Sequence, residues 1–215
     1  MRTLLDVILP QYCAGCGTPG SGWCAACALT LRSRPMRLWP RTDPGVPCWA
    51  LAQYAGPPRR AVLAAKESGR RDLAVPLGQA LARGLDRMRT PGRPLVLVPA
   101  PGRRVAARRR GGDPVVRAAR VAAGCLIDCR SMPVLATRGA VRDSVGLGAS
   151  ERRANLAGRV VARGTDACAP LLLSGGIETV LVDDVLTTGA TAAESVRVLA
   201  AAGVRVRAVM VTCAA

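Results

Sequence analysis

The sequence predicts an α/β protein, with a mostly parallel open sheet preceded by a small four-cysteine module. Three observations carry that expectation. Short apolar runs of strand length, such as PLVLVPAP (94–101) and IETVLVDDV (177–185), alternate with stretches of helical spacing. Half of the 215 residues are hydrophobic and 21% are charged, enough apolar surface for one packed body and a small appendage. Four of the nine cysteines crowd into YCAGCGTPGSGWCAAC, ahead of the alternating segments. Strand–helix alternation is the pattern that wraps a parallel sheet on both faces.

The first element is the cysteine segment itself. Cys13-x-x-Cys16 and Cys24-x-x-Cys27 are two tight knuckles joined by a loop rich in Gly, Pro and Ser. Each knuckle aims two thiolates at one centre, and two facing knuckles complete a tetrahedral sulfur shell, which suits zinc. Disulfide or redox pairing is the weaker alternative in a chain without an export signal. A complete four-thiolate shell leaves no open position for substrate, so the zinc is expected to be structural and to supply folding energy to a unit with little core. The remaining cysteines lie in apolar contexts and are expected to behave as small buried hydrophobes.

RSRPMRLWPRTDPGVP (32–47) carries repeated Pro and Arg and is expected to be a linker. It divides a module over 1–45 from a body over 46–215. CWALAQY (48–54) has strand character, and Pro57-Pro58 then open a helix through PRRAVLAAKE. A helix from near Asp72 places Leu77, Leu81, Leu85 and Met88 on one face. Residues 94–101 read as a buried parallel strand, 115–126 as a helix and 133–137 as a strand. The strongest strand covers 177–185, followed by a helix over about 190–202 and a last strand, VRVRAVMVTC. Residues 138–166 are the least regular stretch, either a lid over a ligand or a surface excursion.

The formal charge is +17, and Lys66 is the single lysine among 31 basic residues. Such a surface attracts polyanions: nucleic acid, phosphorylated metabolites or anionic membrane. The same excess of Arg, Ala, Gly, Pro and Val is also what GC-rich coding produces. Arg59-Arg60, Arg70-Arg71, Arg103-Arg104 and Arg152-Arg153 are solvated faces by default. Arg108, Arg109 and Arg110, followed by two glycines, form a loop able to wrap a ligand. His is absent, which excludes Ser-His-Asp and Cys-His catalysis and imidazole metal ligands. MRTLLDVILPQYC is interrupted by Asp6 and lacks a small-residue cleavage site, so it is not expected to be a signal peptide. No apolar run approaches the roughly 20 residues a membrane span needs, and a cytoplasmic location is expected.

Function is read from VLVDDVLTTGATAAES (180–195). An apolar strand runs into two adjacent carboxylates, Asp183 and Asp184, which are costly to bury unpaired. The following Thr187, Thr188, Gly189, Ala190 and Thr191 lead into a helix, whose first N–H groups are open to an anion. Ligands of open α/β sheets bind beyond the carboxyl ends of strands, where this stretch falls. Thr191 and Glu194 also have the spacing of a helix-capping box, a structural role compatible with anion binding. The G-K-[ST] of a Walker loop and the G-x-G-x-x-G of a dinucleotide fold are both missing.

V-L-V-D-D-V-L-T-T-G-A-T resembles the ribose-5-phosphate loop of type I phosphoribosyltransferases, which bind phosphoribosyl pyrophosphate (PRPP). The four-cysteine knuckle, SGRRDLA (68–74), VPAP (98–101), RRRG (108–111), SERRANL (150–156) and DDVLTTGAT, in that order, resemble the ComF family over nearly the whole chain. The chain departs from that pattern at Gly111-Gly112-Asp113-Pro114, where many relatives continue G-F-N-Q, and at Ser144, where a Gln is common. The resemblance implies a sheet of phosphoribosyltransferase type. It implies that Asp183 and Asp184 hold the ribose hydroxyls and that Thr187, Thr188, Gly189, Ala190 and Thr191 wrap the 5′-phosphate. Mg²⁺ would accompany PRPP, and Lys66, Ala100, Arg103, Arg108, Arg109 and Arg110 are the candidates for its pyrophosphate. Asp184 is the candidate catalytic base, with ribose positioning alone as its alternative. The implied reaction transfers ribose-5-phosphate to a nitrogenous acceptor. The alternative is a non-catalytic accessory of DNA uptake, with single-stranded DNA or competence proteins as partners.

Overall fold

The computed structural model describes residues 11–31, 34–102, 112–138, 158–163 and 176–215. In chain order its elements begin with α1 (Ala25–Leu29), β1 (Met36–Leu38), β2 (Cys48–Gln53) and α2 (Gly56–Lys66). A single 3-10 turn (Arg71–Leu73) leads into α3 (Ala74–Asp86), then β3 (Leu95–Pro99), α4 (Pro114–Gly124) and β4 (Cys129–Ser131). The last part holds β5 (Leu135–Thr137), β6 (Val160–Ala162), β7 (Glu178–Leu186), α5 (Ala190–Ala201) and β8 (Val206–Ala214).

Six strands form one sheet in the order β1-β2-β8-β7-β3-β4, mostly parallel as expected. Only the β1–β2 pair is antiparallel. Two short strands depart from expectation. The stretch read as a linker contributes β1, with Leu38 opposite Cys48 at the sheet edge. Residues 133–137 do not extend the main sheet; β5 pairs antiparallel with β6 in a separate two-stranded ribbon, and β4 takes the other edge.

With no Phe in the chain, the core is Leu, Val and Ala. Alternation along the strands divides it between the two faces of the sheet. Leu51, Leu97, Val180, Val182 and Met210 pack with residues of α2, α3 and α4. Cys48, Val96, Val98, Leu181, Val209 and Val211 pack with Ala192 and Leu199 of α5. Helices α3 and α4 approach closely because Gly78 has no side chain; a Cβ there would lie 2.6 Å from the Ala118 carbonyl.

The lower end of β7 is held by Glu178, which is buried and ion-paired to Arg207 at 2.8 Å. It also accepts hydrogen bonds from the Thr90 N–H and hydroxyl.

Candidate functional site

Strand β7 carries the acid pair beyond its buried half: Glu178–Val182 are buried, Asp183 and Asp184 half-buried. Asp183 sits opposite Val211 of β8, and Pro99 opposite Val182. The Ala100 N–H donates to the Val182 carbonyl at 2.8 Å, so buried Ala100 continues β3 alongside the acids. The Asp183 side chain folds back to accept from the Asp184 N–H at 2.8 Å. Burial, and then the adjacent Asp184, push the Asp183 carboxyl up to about 8.

Asp184 turns to the end of α2, where Lys66 Nζ donates to Oδ1 at 3.1 Å and lies 2.9 Å from Oδ2 in an ion pair. Burial pulls the ammonium down, but Asp184 and Asp183 outweigh it and hold Lys66 above its usual range. Val62, Ala65, Leu77, Leu81, Val115 and Ala118 line a recess reaching both acids, with about 20 Å³, room for about one water. This apolar lining is the environment that favours a neutral Asp183.

Asp113 is a third carboxylate that sequence reasoning did not place here. Its Oδ1 caps α4, accepting from the N–H groups of Val115 (2.8 Å) and Val116 (3.4 Å). Its Oδ2 lies where a side chain on residue 102 would begin, so any larger residue there would have to displace this carboxylate. Burial holds Asp113 above its usual range against the pull of the cap bonds, with Asp184 adding to the rise. The signal was present: Asp before Pro is an N-cap followed by a first-turn proline.

The threonine turn opens α5, with Thr187 exposed, Thr188 and Thr191 half-buried, Gly189 and Ala190 buried. Gly189 is the N-cap at φ +87°, and the Thr188 hydroxyl lies 3.4 Å from the Ala190 N–H. The expected capping box is corrected here. The left-handed Gly189 starts the helix early, leaving Thr191 inside it, and Glu194 instead accepts from the Gly158 N–H and pairs with Arg197. One side of the turn is covered by the strap 40–42. The Thr42 N–H donates to the Thr188 carbonyl at 2.8 Å. A Cβ on Gly189 would lie 2.3 Å from the Thr42 carbonyl and 2.8 Å from Pro40. Nothing in the sequence announced this contact.

Among the predicted residues, Lys66, Ala100, Asp183, Asp184 and the Thr187–Thr191 turn thus share the upper end of the sheet. Arg103, Arg108, Arg109, Arg110, Ser144 and the SERRANL stretch lie outside the described residues.

The cysteine cluster forms as expected. Ligand sulfurs of Cys13, Cys16, Cys24 and Cys27 all lie within 4.8 Å of one another. Cys16 and Cys24 Sγ are 3.6 Å apart, close to the roughly 3.8 Å edge of a tetrahedron with 2.3 Å Zn–S bonds. All four are unbridged. The N–H groups of Gly15 and Cys24 lie 3.4 and 3.3 Å from Cys13 Sγ, the outer-shell support thiolate ligands use. The set fits a structural metal such as zinc.

The module is tied to the body more firmly than its small size suggests. Arg60 donates to the Gly15 carbonyl, and Arg70 to those of Tyr12 and Gly22 at 3.2 and 3.3 Å. Leu31 is buried with the body's leucines, and Trp23 packs against them. Among the described residues, no helix is long and apolar enough to cross a membrane. No protein-family model matches the chain, and no curated protein matches it.

Proposed function

We propose that this chain binds PRPP at the upper end of β7 and is a phosphoribosyltransferase-like protein of the kind the ComF resemblance implies. It would transfer ribose-5-phosphate to a nitrogenous acceptor and release pyrophosphate. One observation carries the reading. Two adjacent carboxylates lie near the end of a central parallel strand, with two residues between them and the helix-opening turn, and the cation paired with Asp184 is a half-exposed lysine. That is where open α/β sheets take ligands, and a helix start suits a phosphate.

In this reading Asp183 and Asp184 would hold the vicinal ribose hydroxyls and the Mg²⁺ that accompanies PRPP, Asp183 losing its proton as the dication arrives. That ion supplies charge neutralisation when bound. The Thr187–Thr191 turn receives the 5′-phosphate from its open side. Lys66 and the backbone after Ala100 face the pyrophosphate end. Asp184 is the carboxylate best placed to take a proton from an incoming nucleophile once its lysine is drawn away. Zinc at the four cysteines holds the module in shape and takes no part in the transfer.

Calorimetric titration of PRPP with Mg²⁺ tests the reading. Wild type is expected to bind, and Asp183→Ala/Asp184→Ala to lose about tenfold or more in affinity. A wild type that does not bind PRPP defeats the proposal. Pyrophosphate release across a panel of nucleobases and amines separates an enzyme from a binding protein.

A second reading, a single-stranded DNA accessory, draws on a specific surface. Trp39 is 82% exposed between exposed Arg37 and Arg41, and Arg37 lies 5.2 Å over the Trp49 ring. Stacking with flanking arginines is how sequence-tolerant single-strand binders work. It predicts a steep salt dependence and weaker binding in Trp39→Ala.

A further inference from the structure

We infer that Lys66 makes the acid pair refuse a bare divalent cation and accept one only when an anionic ligand brings it. The inference rests on the reading of this site as a place for a metal-bound phosphorylated sugar, and assigns the lysine's part in it.

The geometry is an occupied acid. Nζ reaches both carboxylate oxygens of Asp184, at 3.1 and 2.9 Å, so a metal seeking that carboxylate meets an ammonium already there. Asp184 is 15% exposed and Lys66 49% exposed. The cation therefore reaches in from solvent on a flexible stem and has somewhere to go. It stands on the last residue of α2, where the helix dipole favours positive charge. Asp183 and Asp113 lie close enough to act on the same cluster electrostatically.

Displacement by a bare ion and by a metal–phosphate complex differ in kind. A bare Mg²⁺ breaks the ion pair and sends the ammonium back to solvent with no anionic partner in exchange. A metal carried on pyrophosphate takes Asp184 and offers Nζ an anionic oxygen in exchange. One pair is traded for another, so only the complex binds without losing a charge partner. This is discrimination by a repulsive element. A lysine that only braced the end of α2 would not distinguish the two ligands.

The single lysine makes the test direct. Reductive ¹³C-methylation labels Lys66 and the α-amine while keeping their charge, and the Lys66 signal is followed by NMR. Mg²⁺ alone is expected to leave it in place; Mg²⁺ with pyrophosphate, or with PRPP, is expected to move it. By calorimetry, Lys66→Met should bind Mg²⁺ alone about tenfold tighter than wild type, and Lys66→Arg should keep the refusal. Equal Mg²⁺ affinity in wild type and Lys66→Met, or a Lys66 signal displaced by Mg²⁺ alone, overturns the inference. Should the variants not fold, the labelled wild type decides. PRPP bound with the Lys66 signal unmoved defeats the lysine's role alone. A signal moved by Mg²⁺–pyrophosphate, with PRPP unable to bind, defeats the ribose reading and leaves the lysine's role standing.

Discussion

Replacing Asp183 with asparagine separates a carboxyl kept neutral by its surroundings from an ordinary surface acid. Its folded-state value is raised from 3.8 to about 8 by burial and by Asp184. The native chain therefore holds a proton, between about pH 4 and 8, that the unfolded chain has lost. Stability falls as pH rises through that window, by up to about 1.4 kcal/mol per pH unit, and levels off above pH 8. At pH 7, about three pH units into that window, the penalty is on the order of 4 kcal/mol. Asparagine keeps the shape and the acceptor for the Asp184 N–H but carries no such penalty. Urea unfolding of both proteins in zinc at pH 5, 6, 7 and 8 should show the variant gaining steadily on wild type. Curves separated by a constant gap would refute the neutral carboxyl, since every other titrating group is common to both chains.

Three further outcomes follow from the same contacts. Metal analysis should find about one zinc per chain, and stripping it should lower the urea midpoint of the whole protein, because Leu31 and Trp23 join the module to the body's core; a midpoint unchanged by chelation would detach the two. Gly189→Ala should cost on the order of 2–4 kcal/mol in the same assay, since its Cβ would lie 2.3 Å from the Thr42 carbonyl at a φ of +87°; an unperturbed variant would dismiss the strap. Asp113→Ala should lose about 1 kcal/mol with its cap, whereas Asp113→Asn keeps the cap, sheds a charge near Asp184 and should match or exceed wild type.

The parts of the fold legible in the sequence are those set by local pattern over a long enough stretch. Nine residues of β7 and five continuously buried ones of β3 left little choice of structure. The Leu77, Leu81 and Leu85 spacing fixed the buried face of α3 in the same way. Strands of three residues carry almost no such signal. β1 hides among prolines and arginines, and its pairing with β2 is decided by the edge that β2 offers. β5 was visible as a strand, but its partner depends on a segment 25 residues away. In the site, the acids and the turn were legible because their residue types are costly or unusual where they stand. The capping box failed for a definite reason: the left-handed Gly189, not Thr191, is the N-cap, and Gly158 claimed Glu194. Contacts made across the fold, such as Lys66 on Asp184, leave no periodic trace.

The strap changes what Gly189 is for. Read from sequence, the glycine belongs to a turn open to an anion; in the fold it is the Thr42 carbonyl and Pro40 that come close to it, on the covered side. A turn already clasped this way has its conformation set during folding, with the Thr188 carbonyl bound to the Thr42 N–H and Thr187 left at the surface. The acid pair differs, because Lys66 has to leave Asp184 before a ligand can take that carboxylate. The turn thus bears its ordering cost before any ligand arrives. An anion that fits then adds contacts without having to reshape the backbone, which is what preorganisation contributes to affinity. It also explains why burial and openness coexist within five residues. The buried Gly189 and Ala190 hold the turn still, and the exposed Thr187 is the edge from which it can be reached.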